Sequence, residues 1–152
     1  MDIFTLYHLK NHKKVLLYGY YITVMKKEYV MNIEELRDYC LSVKGASESF
    51  PFDETTLVFK IMGKMFAYTS LSPKNGQFVV DMKCDPEKSL ELREKYEGVQ
   101  HGTHTHGLLW NSVYLASDVP DRLIKELIAH SVEEVVKKLP KKQQEEYSKI
   151  VN

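Results

Sequence analysis

The chain has 152 residues, of which 43% are hydrophobic and 28% are charged, a composition typical of one globular domain with its own hydrophobic core. Its 21 basic and 21 acidic residues cancel, so it lacks the basic excess of proteins that hold nucleic acid mainly through phosphates. Two cysteines, Cys40 and Cys84, lie far apart, which argues against a disulfide framework or a zinc knuckle and is typical of thiols in the reducing cytoplasm.

Residues 1–30 differ from the rest of the chain in charge and in pattern. They carry five lysines against two acidic residues, which leaves 16 basic and 19 acidic residues in 31–152. The apolar run at 15–25 is too short to cross a bilayer as a helix, and no signal-peptide cleavage site follows it. Its composition favours an extended segment. Residues 1–30 are interpreted as an added strand or a poorly ordered extension, and no membrane partner is predicted.

The first element predicted after this extension is a helix over about 33–44. Asn32 is a helix-capping residue, and Glu35 three positions later completes a capping-box pattern. Apolar residues then recur every three or four positions until Gly45, which gives a stop signal.

Three strands are predicted next, in an antiparallel meander. Residues 55–71 are rich in β-branched and aromatic residues and are interrupted at Gly63, which predicts two strands joined by a tight hairpin around 62–64. The segment 72–77 is a second turn, in which Asn75 and Gly76 can adopt positive φ. The third strand covers 78–84.

The C-terminal half begins and ends with helices. Asp85 is a suitable cap for a second helix, with Pro86 at its first position, and this helix is predicted to run to about Lys95. Residues 99–106 are interpreted as a strand or a loop, and 108–116 as the last strand. The longest helix begins near Asp121, follows the 3.6-residue period closely and ends at Pro140. A charged tail that is predicted to be helical follows.

This order of elements, α-β-β-β-α-β-β-α, predicts an α+β fold. Short consecutive strands between helices pair with their neighbours, so we expect an antiparallel sheet with helices packed on one face. Residues 31–142 contain neither a repeat nor a linker and are interpreted as one domain, followed by a charged C-terminal tail at 143–152.

Four stretches of this domain resemble the MmcQ/YjbR family of small bacterial proteins. They are "MNIEELRDYCLSVKGASESFPFDETTLVFKIMGKMFA", "KCDPEKSLELREKYEGV", "WNSVYL" and "IKELIAHSVEEVVKKLP". The resemblance implies an α+β fold related to frataxin-like and secretion-chaperone-like domains, described as a double-wing DNA-binding fold. It thereby implies a small cytoplasmic protein that binds DNA weakly, through shape and backbone more than through bases. Since fold alone does not determine function, a non-enzymatic protein-interaction module with a chaperone-like architecture is the alternative.

The stretch before Trp110 departs from the family pattern. That pattern resembles Tyr-His-Met-Asn-Lys-Lys-His-Trp-Asn, whereas this chain reads "THTHGLLWN". His104, Trp110 and Asn111 match, but a glycine and a leucine replace the two lysines, which weakens the expected contact with DNA. Together with Lys83, at the end of the third strand, the three matching residues form the candidate DNA- or ligand-binding set.

Three histidines precede the tryptophan and raise the question of a metal site. If 103–106 is extended, His104 and His106 point to the same side, but nothing places His101 beside them. A stable zinc or nickel site needs three or four ligands, so a solvated or hydrogen-bonded loop is favoured, and no metal or cofactor is predicted. For Trp110, core packing with the indole N–H at the rim is favoured over a surface ring that stacks on a base or ligand.

The segment "FPFDETT" at 50–56 places two acidic residues near aromatic residues. Asp53 and Glu54 are adjacent, so in an extended chain they face opposite ways and make a poor acid–base pair. A turn into the first strand is predicted instead, with Phe50 and Phe52 packed. No Ser-His-Asp order, glycine-rich phosphate loop or Cys-His pair stands out, so an enzyme is not predicted.

Overall fold

The computed structural model describes residues 30–102 and 109–151. Within them the helices are α1 (Ile33–Ser42), α2 (Pro86–Lys95), α3 (Asp121–Lys137) and α4 (Lys141–Ser148). The strands are β1 (Ser47–Ser49), β2 (Thr56–Ile61), β3 (Lys64–Ser70), β4 (Val79–Lys83), β5 (Val99–His101) and β6 (Trp110–Tyr114). The two interpretations of residues 1–30 concern a segment that lies, apart from Val30, outside the described residues.

The described strands form one antiparallel sheet in the order β1-β2-β3-β4-β6-β5. The predicted α+β class is therefore confirmed, with one strand more than expected at the start of the meander. That strand, β1, consists of three residues, Ser-Glu-Ser, and pairs with the middle of β2. It has too few residues and too polar a sequence to show an alternating pattern.

The hydrophobic core lies between the sheet and the helices. Phe59, Ile61 and Phe66 from β2 and β3 are fully buried in it. All four helices contribute to this same cluster, for example through Leu36 of α1 and Ile128 of α3. The helices therefore share one face of the sheet, as the sequence predicts, and both cysteines are buried free thiols.

The predicted cap of α1 is confirmed. The Asn32 side-chain oxygen accepts from the Glu35 backbone N–H at 2.8 Å, and the Glu35 carboxylate accepts from the Asn32 N–H at 3.2 Å. The helix ends at Ser42, two residues before the predicted end, because Val43 already has extended backbone angles.

The two tight turns of the meander also agree with the sequence. Met62 and Gly63 both have positive φ, of 48° and 73°, in the two-residue connection between β2 and β3. Asn75 and Gly76 have φ of 52° and 76° in the turn before β4. Positive φ at both central residues matches the right-handed twist of paired strands.

Residues near both ends of the domain form hydrogen bonds to residues distant in sequence. The Asp121 carboxylate at the start of α3 accepts from the Met31 backbone N–H at 2.8 Å. In α4, which is helical as predicted, Tyr147 is buried in the core and its hydroxyl donates to the Lys44 carbonyl at 2.9 Å. None of the helices within 30–102 and 109–151 has the length and hydropathy that a membrane crossing requires.

The segment 50–56 forms the predicted turn but does not pack as predicted. The Asp53 carboxylate accepts from the backbone N–H groups of Thr55 and Thr56, at 2.8 and 2.6 Å. Phe50 and Phe52, however, are 48% and 69% exposed, so the prediction that they pack is wrong. The chain leaves the sheet after β1 and turns back only at Asp53, which keeps both rings away from the core.

Candidate functional site

The face of the sheet that points away from the helices carries a row of side chains across five strands. Val58, Tyr68, Asp81, Ser112 and Gln100 are successive cross-strand partners in β2, β3, β4, β6 and β5. Cross-strand partners lie on the same side of a sheet, so these five residues define what we call the second face. None of them belongs to the core cluster, although the first four are buried.

At the centre of the second face, a carboxylate is held by a hydroxyl. The Ser112 hydroxyl donates to the Asp81 carboxylate at 2.5 Å, and the two residues are only 5% and 7% exposed. The contact follows from the β4–β6 register, which places them directly opposite each other. Such a pair needs a third, basic member before it could activate a nucleophile.

An open cleft of about 410 Å³ lies over this pair. Its lining is partly polar and partly apolar, and it includes Thr56, Ser70 and Ser112 together with Tyr68 and Tyr114. Its charged lining residues are Asp53, Asp81 and Lys74. A cleft with two carboxylates and one ammonium favours a cationic group over an anionic one.

Two residues of the sequence-predicted set, Lys83 and Trp110, lie side by side on adjacent strands of the sheet. They are register partners at the ends of β4 and β6. The Trp110 ring packs on Tyr68, with centroids 5.8 Å apart and planes inclined by 40°. Trp110 is half-buried and lies at the edge of the second face, beside the cleft rather than in the helix-side core.

Asn111 points to the opposite side of β6, because side chains alternate along a strand. It is buried, and its amide donates to the Ser89 hydroxyl of α2 at 3.0 Å while accepting from the Arg93 guanidinium at 2.8 Å. The same guanidinium also donates to the Trp110 carbonyl at 3.3 Å. Asn111 therefore anchors α2 to the sheet, on the side of β6 opposite to the Trp110 side chain.

The histidine stretch is only partly described. The Nε2 atom of His101 lies 3.3 Å from the Arg93 guanidinium, a cation that disfavours a metal ion at that nitrogen. His104 and His106 lie outside the described residues, as do the residues that replace the family lysines. Within 30–102 and 109–151, no group of three or more metal-binding side chains converges.

The surroundings of Lys83 connect β4 to α3. Burial lowers the pKa of the Lys83 ammonium below its ordinary value, and the positive charge of Lys138 lowers this pKa further. Its backbone N–H donates to the Ser131 hydroxyl at 2.9 Å, and that hydroxyl donates to the Phe66 carbonyl at 2.5 Å. Asp85, two residues after Lys83, also contacts α3: its backbone N–H donates to the His130 imidazole at 3.1 Å.

The N-terminus of α2 is occupied by a side chain of the chain itself. Asp85 caps it, and its carboxylate accepts from the backbone N–H groups of Glu87 and Lys88, at 3.0 and 3.1 Å. A bound phosphate would compete with this carboxylate for the same donors.

Comparison with known proteins identifies the family. The YjbR family model matches residues 41–133. The chain belongs to the YjbR family. An uncharacterised Escherichia coli K12 protein, YjbR, is 30% identical over 110 residues, which cover 72% of this chain and 92% of that protein. The uncharacterised protein YbdF of Escherichia coli O157:H7 is 35% identical over 95 residues, 62% of this chain and 76% of that protein. None of these descriptions states a function.

Two crystal structures share the fold. The Deinococcus radiodurans protein DR2400, with the family-model domain DUF419, aligns with a TM-score of 0.71 and 32% identity over 78% of this chain and 89% of that one. A Pseudomonas syringae protein aligns with a TM-score of 0.58 and 23% identity over 66% of this chain and 96% of that one, which shows the fold alone. The YjbR family assignment and the α+β fold therefore agree with each other.

Sequence reasoning missed the cleft and the contacts of α3. The row through Asp81 and Ser112 depends on the register of five strands, which no local pattern encodes. His130 and Ser131 lie within a helix that was predicted from its apolar residues. The polar residues between those apolar residues were not used in that prediction. Their signal was their position on the buried side of that helix, where polar side chains need partners.

Proposed function

We propose that this chain binds duplex DNA weakly and without sequence preference, through phosphate contacts from a cluster of lysines at the end of α3. The cluster consists of Lys83, Lys138, Lys141 and Lys142, and we call it the lysine corner. The observation that carries the proposal is the closeness of Lys83 to Lys138. Burial lowers the pKa of Lys83 and the positive charge of Lys138 lowers this pKa further, while the charge of Glu134 opposes them. An anion placed between two close cations is bound favourably, because it relieves their mutual repulsion.

The connection between α3 and α4 supplies most of these charges. Residues 137–144 contain four lysines and no acidic residue. The side chain of Gln144 donates to the Leu139 carbonyl at 2.8 Å, which ties the first turn of α4 to the end of α3. The lysines on either side of Pro140 are exposed and project from a connection that this bond restrains.

The four lysines of the corner are available for phosphates. The ion pairs within 30–102 and 109–151 are Arg37–Glu48, Arg122–Glu126 and Lys137–Glu134. None of them involves a lysine of the corner. The neighbouring Lys137 is held by Glu134 at 2.8 Å, so we do not count it as a phosphate contact.

The same geometry supports weak binding without base recognition. Glu133, Glu134, Glu145 and Glu146 flank the corner and reduce its positive potential. Asn111, which could have read a base edge, uses its amide to hold Ser89 and Arg93. Contacts to phosphates alone position a protein on DNA without carrying sequence information.

The test is binding of a fluorescein-labelled duplex of about 20 base pairs at low salt, where phosphate contacts are strongest. We expect the triple substitution Lys138→Glu, Lys141→Glu and Lys142→Glu to abolish measurable binding by the full chain. The matched control is Lys74→Glu, Lys95→Glu and Lys125→Glu, which makes the same change of net charge at exposed positions outside the corner.

The control should retain most of the affinity, since only net charge and not the corner has changed. Equal losses in both triple variants would mean that binding depends on net charge alone and would contradict the proposal. Absence of binding by the unsubstituted chain at low salt would also contradict it.

A further inference from the structure

Glu134 differs from the other acidic residues that flank the lysine corner, because its side chain is largely covered and ion-paired. Its carboxylate accepts a hydrogen bond from the Lys137 ammonium at 2.8 Å. The Glu134 side chain is only 14% exposed, whereas that of Lys137 is 67% exposed. The carboxylate is therefore the covered member of this ion pair, and the lysine is the member that faces solvent.

The position of Glu134 in α3 makes it a neighbour of the lysine corner itself. Residues three and four positions apart lie on the same side of a helix, so Glu134 is adjacent to both Lys137 and Lys138. This spacing holds to the end of the helix, because Lys138 still has helical backbone angles. Burial lowers the pKa of Lys83 and the charge of Lys138 lowers this pKa further, whereas the charge of Glu134 raises it. Glu134 is therefore the shared neighbour of these three lysines.

A carboxylate among lysines affects a bound phosphate in two ways. Its negative charge repels the phosphate, and this repulsion is screened less by salt when the carboxylate is covered than when it is exposed. In addition, an ammonium that already donates to a carboxylate must break that ion pair before it can contact a phosphate. Both effects act in the same direction, because each weakens the attraction of the lysine corner for anions.

We propose that Glu134 is an internal counter-ion that limits the affinity of the lysine corner for phosphates. It withholds the exposed Lys137 ammonium from them, and its charge opposes the attraction that Lys83 and Lys138 exert. The inference rests on the proposed function, since DNA is the source of the phosphates there. It assigns a regulatory role to an acidic residue that itself makes no contact with DNA.

The charge of Glu134 can be removed without unfolding the domain. Glu134 lies in the last turn of α3, where the helix dipole disfavours an acidic side chain. Its ion pair with Lys137, three positions away, is of a kind that stabilises a helix only slightly. These two small effects oppose each other, so we expect Glu134→Gln to fold like the unsubstituted chain, which far-UV circular dichroism verifies.

The experiment measures binding of the fluorescein-labelled duplex by the full chain at several salt concentrations. At low salt, Glu134→Gln should bind at least about fivefold more tightly than the unsubstituted chain. Its slope of log affinity against log salt should be steeper by about 0.9, because the released Lys137 adds one phosphate contact. The matched control is Glu133→Gln, which makes the same change of charge one position away, at an exposed residue outside the ion pairs of the described residues. It should change the affinity by less than about twofold and leave the slope unchanged.

A second substitution tests whether Glu134 acts through Lys137. In the unsubstituted chain, Lys137→Gln should leave the salt slope unchanged, because Lys137 contacts no phosphate there. In the Glu134→Gln variant, adding Lys137→Gln should return the slope to that of the unsubstituted chain. Equal gains in affinity from Glu133→Gln and Glu134→Gln, or a slope that Glu134→Gln does not change, would overturn the proposal. A flatter slope for Lys137→Gln alone would overturn it as well.

Titration with inorganic triphosphate separates this inference from the DNA proposal. Amide NMR shifts of residues 83 and 134–142 report binding of this anion to the lysine corner. Glu134→Gln should bind triphosphate at least about fivefold more tightly than both the unsubstituted chain and Glu133→Gln. This result without duplex binding would contradict the DNA proposal alone, whereas duplex binding without a gain from Glu134→Gln would contradict the role of Glu134 alone. Equal binding of triphosphate by the three chains, or its absence in all of them, would also overturn that role.

Discussion

The side chains of His130 and Ser131 reach from α3 to backbone groups at the junction of β4 and α2. The Ser131 hydroxyl is fully buried and serves two partners, the Lys83 N–H and the Phe66 carbonyl. It joins β3 to β4 just beyond their last register pair, Ala67 with Met82. A single hydroxyl thereby satisfies one buried donor and one buried acceptor.

Ser131→Ala should therefore lower the free energy of unfolding by about 2 kcal/mol, because both backbone groups lose their partner without gaining water. Urea unfolding followed by circular dichroism measures this. Ser148→Ala is the control, since the Ser148 hydroxyl is exposed and bonds only the Glu145 carbonyl within its own helix. A loss for Ser131→Ala as small as that of the control would show that the ends of β3 and β4 stay together without the hydroxyl.

His130 links the stability of the domain to pH. Burial lowers the pKa of His130 below its ordinary value of 6.5, and the positive charge of Lys88 lowers this pKa further, while Glu134 and Glu133 oppose them. The hydrogen bond from the Asp85 N–H requires an unprotonated Nε2 atom. As pH falls below about 6.5, the unfolded chain binds a proton that the folded chain does not, so stability is lost progressively through the folded pKa.

We expect the unfolding free energy of the unsubstituted chain to fall more between pH 7.5 and pH 5 than that of His130→Ala. The comparison of the two slopes isolates His130 from the other groups that titrate in this window. Parallel pH profiles would show that the imidazole is not linked to folding.

At the level of elements, the sequence predicts what local chemistry determines. The capping box of α1, the cap of α2 and both positive-φ turns were predictable because each depends on two to four adjacent residues. Strand β1 was missed because it is held by pairing with β2 and not by its own pattern. The cleft was missed for the same reason, since register brings Asp81 and Ser112 together.

Gly63 and Gly98 are required to be glycine for two different reasons. Gly63 has φ of 73° in the β2–β3 turn, but a side chain there would meet no atom within 4 Å. A Cβ at Gly98, between α2 and β5, would lie 2.1 Å from the Ser117 hydroxyl and 2.6 Å from its Cβ. One position therefore needs glycine for its backbone angle and the other for space.

Gly63→Ala should lower the free energy of unfolding by about 1 kcal/mol, the usual strain of a left-handed residue. Gly98→Ala should cost about 2–3 kcal/mol, because the 117–118 turn that accepts the Gly98 N–H on Asp118 must move. Thermal and urea unfolding of both variants measure the order. The reverse order would mean that the turn at 117–118 yields easily and that the hairpin is the stiffer element.

At the scale of the whole molecule, the proposed binding of DNA depends more on where the charges lie than on the net charge. Residues 31–152 have three more acidic than basic residues, yet the lysine corner concentrates cations at one end of α3. The sequence indicated the family and predicted that any binding to DNA would be weak. It did not point to the corner, because Lys83 and Lys138 are 55 positions apart and only the contact of β4 with α3 makes them neighbours.

The salt dependence of DNA binding tests this distribution directly. Each neutralised phosphate contributes about −0.9 to the slope of log affinity against log salt, so four lysines that all contact phosphates give a slope of about −3.6. We expect a slope of about −2 to −4 in fluorescence anisotropy titrations, with a dissociation constant in the micromolar range or weaker near physiological salt. Lys83→Glu should flatten the slope by about one phosphate and weaken binding further. A slope steeper than about −6, or nanomolar binding near physiological salt, would require phosphate contacts well beyond the lysine corner, on a face that its four lysines do not cover.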